Sequence, residues 1–300
     1  MERKQTIPTP PPLPETWLKK CSLAAKMSAQ VTLVVPCYNE VGRLPTEEFA
    51  AGVLGWPEAR ILFVNDGSKD DTATVLEELV ARNPLQMSVL HLSQNSGKAE
   101  AVRRGCLEAA EQTNSSLIGF ADADLAVSLS EMRRLADYLA DKPTLHLLAG
   151  SRLRGLGCSI ERTLFRRIQG RAFAALTQKL LGLGAYDTQC GAKIFRSELT
   201  PLLFDEPFLS RWCFDIEMLK RLSLAYGEEA FSQSVYELPL HRWVEQGGSK
   251  VSLATPLRMA GELWQIRQHY KKSAAIQKLK IASVAVADTP SIVEEKRDAA

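Results

Sequence analysis

The sequence predicts an α/β fold: an open, mostly parallel sheet with flanking helices. Three observations predict it. Short, continuous apolar runs recur at regular intervals, segments of helical period separate them, and a polar cluster follows each of the first four runs. Continuous apolar runs of this kind suit strands buried on both faces of a parallel sheet. Their alternation with helices dictates right-handed crossovers. Ligands of such sheets bind outside the carboxyl ends of the strands, where the polar clusters fall.

Taken in order, residues 1–29 begin with a Pro-rich, polar stretch (TIPTPPPLPE) that predicts a disordered leader, with a short amphipathic helix over 17–27. The folded domain spans 30–254. Strands are expected at 31–35, 61–64, 88–92, 117–120 and 145–149. Between them Leu76, Leu79 and Val80, then Val102, Cys106, Ala109 and Ala110, then Met132, Leu135, Ala136 and Leu139 recur with helical spacing. The last series opens with Ser128-x-x-Glu131, a capping-box pattern. Further on, 162–181 reads as a basic and apolar helix, 193–195 as a strand, 214–225 as a helix and 235–238 as a strand. An amphipathic helix over 257–271 lies in a C-terminal region, 255–287, and 288–300 reads as a disordered tail.

Composition narrows the function. With 45% hydrophobic residues, 24% charged residues and a net charge of +2, the chain is ordinary for a soluble protein and unsuited to bulk nucleic-acid binding. Its charge is uneven, however. Between 150 and 180, Arg152, Arg154, Arg162, Arg166, Arg167, Arg171 and Lys179 face the single Glu161, which predicts a specific anionic partner. The six cysteines form no C-x-x-C pair, so reduced thiols in a cytoplasmic protein are expected rather than zinc or a disulfide framework. No apolar run approaches the roughly 20 residues that span a bilayer, so any membrane contact is expected to be peripheral.

The polar clusters carry the chemistry. They are Pro36-Cys37-Tyr38-Asn39-Glu40, Asn65-Asp66-Gly67-Ser68, Asn95-Ser96-Gly97-Lys98 and Ala121-Asp122-Ala123-Asp124. Singly, each could be a turn; together, at one sheet edge, they describe a binding crevice. The pair Asp122 and Asp124 is the sharpest signal. A hard divalent ion such as Mg²⁺ or Mn²⁺ takes carboxylates together with phosphate oxygens and neutralises a departing diphosphate. Residues i and i+2 of an ideal strand point the same way, which would aim both carboxylates into the crevice.

The blocks VVPCYNE, VNDGSKDDT, NSGKAEAVRRG, ADADLA and GSR resemble family 2 glycosyltransferases. The later blocks AYDTQCGAKIF, RWCFDIEML and WVEQGGSK are similar to the branch that glucosylates dolichyl phosphate from UDP-glucose. The resemblance covers roughly 30–272. It implies a GT-A fold with a C-terminal acceptor-side subregion, an inverting metal-dependent reaction, and a UDP-sugar donor. It also implies a polyprenyl-phosphate acceptor and a position on the cytoplasmic membrane face. The resemblance carries roles onto matching positions. Pro36, Tyr38, Glu40, Asp66, Gly97, Lys98 and Asp122 would bind the nucleotide sugar, and Asp122 and Asp124 the metal. Arg152, Arg166, Arg171 and Lys250 would hold the acceptor phosphate. Where mannosyl-phosphate synthases carry Gln two residues after the second Asp, this chain has Ala126, and near Gly170 it lacks their Ser. It also lacks the N-terminal anchor of the eukaryotic glucosyl enzymes.

Two acceptor classes remain at this level. A lipid phosphate is already an anion and needs no strong base. A soluble or polysaccharide hydroxyl needs one, for which Asp215 comes first and Asp187 second. The arginine-rich helix is either a solvated face or an interfacial helix on an anionic membrane. The helix over 257–271 either joins it there or packs onto the domain. Trp212 and Trp243 belong either to the acceptor side or to the core. The sugar (glucose or another hexose such as GlcNAc) and the oligomeric state stay open. A nucleotidyltransferase is disfavoured, because 31–40 holds no Gly-rich loop.

Overall fold

The computed structural model describes residues 29–153, 155, 157–161, 163–244 and 258–271. The leader with its short helix, Arg154, Arg162, Lys250 and the tail lie outside the described residues.

The amino-terminal half alternates as expected: β1 (Val31–Cys37), α1 (Thr46–Leu54), β2 (Ala59–Asp66), α2 (Thr72–Arg82), β3 (Met87–Leu92), α3 (Lys98–Gln112), β4 (Leu117–Phe120), α4 (Leu129–Ala140) and β5 (Leu147–Ser151). There follow β6 (Ser159–Glu161), α5 (Leu164–Leu181), β7 (Lys193–Arg196), α6 (Thr200–Phe204), α7 (Phe214–Tyr226), α8 (Glu228–Ser234), β8 (Val235–Pro239), β9 (Arg242–Val244) and a final helix α9 over 258–271. Seven strands form one sheet in the order β3-β2-β1-β4-β7-β5-β8. All its pairings are parallel except those of β7, which runs antiparallel to β4 and β5. A separate parallel pair joins β6 to β9.

Strand alternation sorts the core into two layers. Leu33, Val35, Ile61 and Phe63 face Phe49 of α1, Leu76 and Leu79 of α2, and Met132, Leu135 and Leu139 of α4. Val34, Leu62, Val64, Ile118 and Phe120 face the opposite layer, built from Val102, Cys106 and Ala109 of α3 with Phe214, Leu219 and Leu222 of α7. Gly105 lets α3 approach the sheet, since a Cβ there would lie 2.7 Å from Val64 Cγ2. Burial on both faces explains why these strands read as continuous apolar runs.

Several boundaries differ from the sequence expectation, each for a visible reason. The strand expected at 145–149 starts at Leu147 and runs to Ser151, because Leu145 N–H closes a turn on the Lys142 carbonyl while Arg196 holds the Leu145 carbonyl. Only half of the capping box forms. Ser128 Oγ accepts the Glu131 N–H at 3.3 Å, but the Glu131 carboxylate turns away to Arg134 and the His241 N–H. The short helix α1 and the β6–β9 pair carry no strong periodic signal.

The last helix packs onto the domain. Leu263 and Ile266 are fully buried among α7 residues, Met259 and Tyr270 pack against the same layer, and Trp264 is half exposed. In α5, Leu181 is buried and Phe173, Leu176 and Leu180 pack inward, whereas Leu164 and Ile168 are exposed. No helix among the described residues is long and apolar enough to cross a membrane.

Candidate active site

The loops at the carboxyl ends of β1, β2, β3 and β4 meet in one open cleft of about 560 Å³. Backbone-to-side-chain bonds stitch the loops to one another. Asn39, at a positive φ of 51°, accepts the Lys69 N–H at 2.9 Å and donates its own N–H to Ser68 Oγ at 3.1 Å. Glu40 N–H donates to Thr72 Oγ1 at 2.8 Å. Asp66, at the end of β2, accepts the N–H groups of Ser96 at 2.7 Å and Gly97 at 2.8 Å. Its carboxylate thereby holds the loop that starts α3. Burial raises the Asp66 pKa, although the two N–H groups pull against it. Gly97 has a φ of 93°, and the Arg211 guanidinium lies where its Cβ would be.

Lys98, the first residue of α3, reaches across the cleft and ion-pairs with Asp122 Oδ1. Burial alone would raise Asp122, but the Lys98 ammonium, with help from Arg152 and Lys193, holds it below the ordinary carboxylate range. Asp124 goes the other way. Burial and the neighbouring Asp122 charge raise it, and it accepts the Ala126 N–H at 3.0 Å. Both carboxylates line the cleft, but not by strand alternation: β4 ends at Phe120, and the chain then turns through Leu125 at a φ of 49°. The turn does what the strand was expected to do. Gly191 backs directly onto Asp122, so any side chain there would displace the carboxylate.

The cleft lining also contains Arg152, Arg166, Arg211, Trp212, Trp243 and Arg258. Arg152 leaves β5 and binds Asp187 through Nε at 2.7 Å and Nη2 at 2.6 Å, and its guanidinium lies 5.5 Å from the Trp243 ring. Burial would lower the Arg152 pKa, but Asp187 outweighs it and the group stays a cation. In all, six cationic side chains line the cleft against four carboxylates, which suits an anionic occupant.

Of the sequence-derived candidates, Pro36, Tyr38, Glu40, Asp66, Gly97, Lys98, Asp122, Asp124, Arg152 and Arg166 all line the cleft. Arg171 does not; it lies on the exposed side of α5, its guanidinium 5.8 Å from the Tyr186 ring. Lys250 lies outside the described residues. Neither carboxylate expected as a base lines the cleft. Asp187 is held two-pronged by Arg152. Asp215 is buried at the start of α7 with the fully buried Lys193 at 3.1 Å; burial raises its pKa and Lys193 opposes the rise. Both are engaged by cations instead of facing an acceptor. Sequence reasoning missed Arg43, Arg211 and Arg258 as lining residues. Arg43 has no local signal, while the other two stand inside segments already singled out.

Among the described residues, no group of three or more His, Cys, Asp or Glu side chains could enclose a metal. Two carboxylates beside a cationic wall do fit a hard divalent ion that completes its shell with donor phosphate oxygens, the usual habit of Mg²⁺ and Mn²⁺. Asp122 and Asp124 could supply those two carboxylates.

The comparisons with known proteins agree with this geometry. The model of the family "Glycosyl transferase family 2" matches residues 32–201. A dolichyl-phosphate beta-glucosyltransferase of Trichomonas vaginalis is 32% identical over 274 residues, covering 87% of this chain and 78% of the relative. The human dolichyl-phosphate beta-glucosyltransferase is 32% identical over 262 residues, covering 82% and 77%. Among solved structures, glucosyl-3-phosphoglycerate synthase of Mycobacterium tuberculosis, in complex with Mn²⁺, UDP-glucose and phosphoglyceric acid, is similar in fold. It has a TM-score of 0.60 at 17% identity and covers 82% of each chain. The sheet is therefore that of the GT-A enzymes, and the chain belongs to glycosyltransferase family 2.

Proposed function

We propose that this enzyme moves glucose, with inversion, from UDP-glucose to a polyprenyl phosphate of the dolichyl type, assisted by a divalent metal. One observation carries the acceptor: the cleft is rich in cations, while the two carboxylates suited to base catalysis are engaged by Arg152 and Lys193. An acceptor that brings its own negative charge needs neither. The relatives, dolichyl-phosphate beta-glucosyltransferases, support the same reading.

In this mechanism a phosphate oxygen of the acceptor forms the bond to the anomeric carbon. The bond from that carbon to the UDP oxygen breaks, and UDP leaves with the electron pair. No proton is transferred. Asp122 and Asp124 would hold the ion, which when bound neutralises charge growing on the diphosphate. Lys98 adds a fixed positive charge and keeps Asp122 ionised. Asp66 holds the loop of Gly97 and Lys98 beside the nucleotide, while Tyr38 and Glu40 line the donor end. Arg152 and Arg166 orient the acceptor phosphate, and such preorganised charge is worth most where water is excluded.

The exposed Leu164 and Ile168 with the cations of α5, and the half-exposed Trp264 beside Arg267, support peripheral contact with the cytoplasmic membrane face. The direct test incubates the full chain with radiolabelled UDP-glucose, Mn²⁺ and a polyprenyl phosphate. Label should enter the organic-extractable phase and disappear when the metal is chelated. A purely aqueous glycosylated product would overturn the lipid acceptor.

A further inference from the structure

A chain of contacts links the cleft residues Arg152 and Trp212 to Arg258 on the C-terminal helix. Trp243 stacks near Arg152, and Arg152 Nη2 donates to the Gln189 carbonyl at 3.1 Å. Gln189 Nε2 reaches the Trp212 carbonyl at 3.4 Å. The loop that carries Arg211 and Trp212 is built on Ser210, whose Oγ accepts the N–H groups of Trp212 at 3.2 Å and Cys213 at 2.6 Å. The same Oγ donates to Glu262 of α9, and Glu262 pairs with Arg258 at 3.3 Å. Arg258 then lines the cleft itself.

Glu262 is well covered, its side chain 12% exposed, whereas Arg258 is 59% exposed. An arginine this open, paired among the described residues with the i,i+4 carboxylate of Glu262, keeps donors for another anion. The planar guanidinium fork suits a phosphate monoester better than a lysine would. Its helix is anchored independently by Leu263 and Ile266 in the core and by Tyr270 on Glu217 and Arg221. The cation is therefore presented from a fixed element and does not hang from a free tail.

We propose that Arg258 binds the phosphate of the acceptor, with Glu262 as the positioning residue that ties it to the Ser210–Trp212 loop, so that the C-terminal helix forms part of the acceptor site. This inference rests on the polyprenyl-phosphate reading above, and the experiment separates the two. Full-length wild type, Arg258→Ala and Arg258→Lys are compared with a short soluble acceptor, citronellyl phosphate. Three quantities are read: the acceptor KM and kcat, the UDP-glucose affinity in Mn²⁺ by calorimetry, and the melting temperature.

Arg258→Ala should raise the acceptor KM about tenfold, the order expected when one charge-assisted contact is lost. Donor affinity and melting temperature should match wild type, and kcat should change little because the contact is made before and during transfer. Arg258→Lys should lie between the two, and it carries the test should the alanine variant fail to fold. Unchanged acceptor KM in both variants, with wild type active, would overturn the role of Arg258 alone. Equal losses in donor affinity and melting temperature would mark it as merely structural and overturn the role too. Wild type that binds UDP-glucose but neither binds nor glucosylates citronellyl phosphate would sink the acceptor reading, and this inference with it.

Discussion

Asp124 illustrates how a site residue trades stability for function. Its carboxyl is raised by burial and then by Asp122, so it ionises less readily in the metal-free fold than in the unfolded chain. A raised acid is destabilising above its folded pKa, and the penalty disappears as pH falls through that pKa. Asp124→Asn removes the charge yet keeps an oxygen for the Ala126 N–H. The metal-free variant should melt higher by about 1–3 °C, a shift that corresponds to under 1 kcal/mol in a domain of this size. With Mn²⁺ and UDP the order should reverse, wild type gaining stability and the variant not, while turnover drops roughly 100-fold or more. Differential scanning fluorimetry with and without ligands reads both signs, and a variant that melts lower without metal would refute the electrostatic account. Asp122, paired with Lys98, has the opposite sign: held low, it stabilises above the ordinary carboxylate range and loses that contribution only in acid.

At the scale of elements, helix propensity and close packing compete at Gly105 in α3. In an exposed helix, Gly→Ala gains up to about 1 kcal/mol. Here the new methyl would press on Val34 and Val64 of β1 and β2. Gly105→Ala should therefore cost about 1–3 kcal/mol, as overpacking usually does. Urea unfolding should show a lower midpoint at unchanged slope; a stabilised variant would mean that α3 can lift from the sheet. The same competition explains what was legible in these elements. Residues 117–120, 162–181 and 214–225 announced themselves through apolar runs or helical period. Leu145 and His146 did not, because Arg196, some fifty residues away, takes the Leu145 carbonyl and helps hold the turn. Asp122 and Asp124 were expected to reach the cleft by strand alternation, and they line it through the turn after Phe120 instead.

Across the whole molecule, the C-terminal helix is fastened to α7 by a buried polar knot. Glu217 is fully buried, accepts from Arg221 at 3.1 Å and from the Tyr270 hydroxyl at 2.9 Å, and caps the Leu209 N–H at 2.9 Å. Burial, then the Glu217 charge, pushes the Tyr270 hydroxyl up to about 12, so it stays protonated and donates. Tyr270→Phe deletes that donor while leaving the ring, and should lower stability by about 1–2 kcal/mol. Since α9 also carries Arg258, the variant should weaken acceptor use before donor binding. A fall in UDP-glucose affinity of equal size would contradict an acceptor-specific role for α9.

The sequence by itself determined the strands β1 to β5, the helices α2 to α4 between them and the carboxyl-edge loops bearing Glu40, Asp66, Lys98 and Asp122. Each rests on periodicity or position within a few residues, and such information is local. Only the tertiary structure decided which charges meet. Asp187 and Asp215 are given to Arg152 and Lys193, Asp66 is given to the backbone of Ser96 and Gly97, and Arg43, Arg211 and Arg258 join the cleft lining. It also decided that the last helix packs onto the core. The physical reason is that an ion pair or a cleft depends on distance in space between residues up to hundreds of positions apart. Charge type can be read along a chain, but the choice of partner is made when the chain folds.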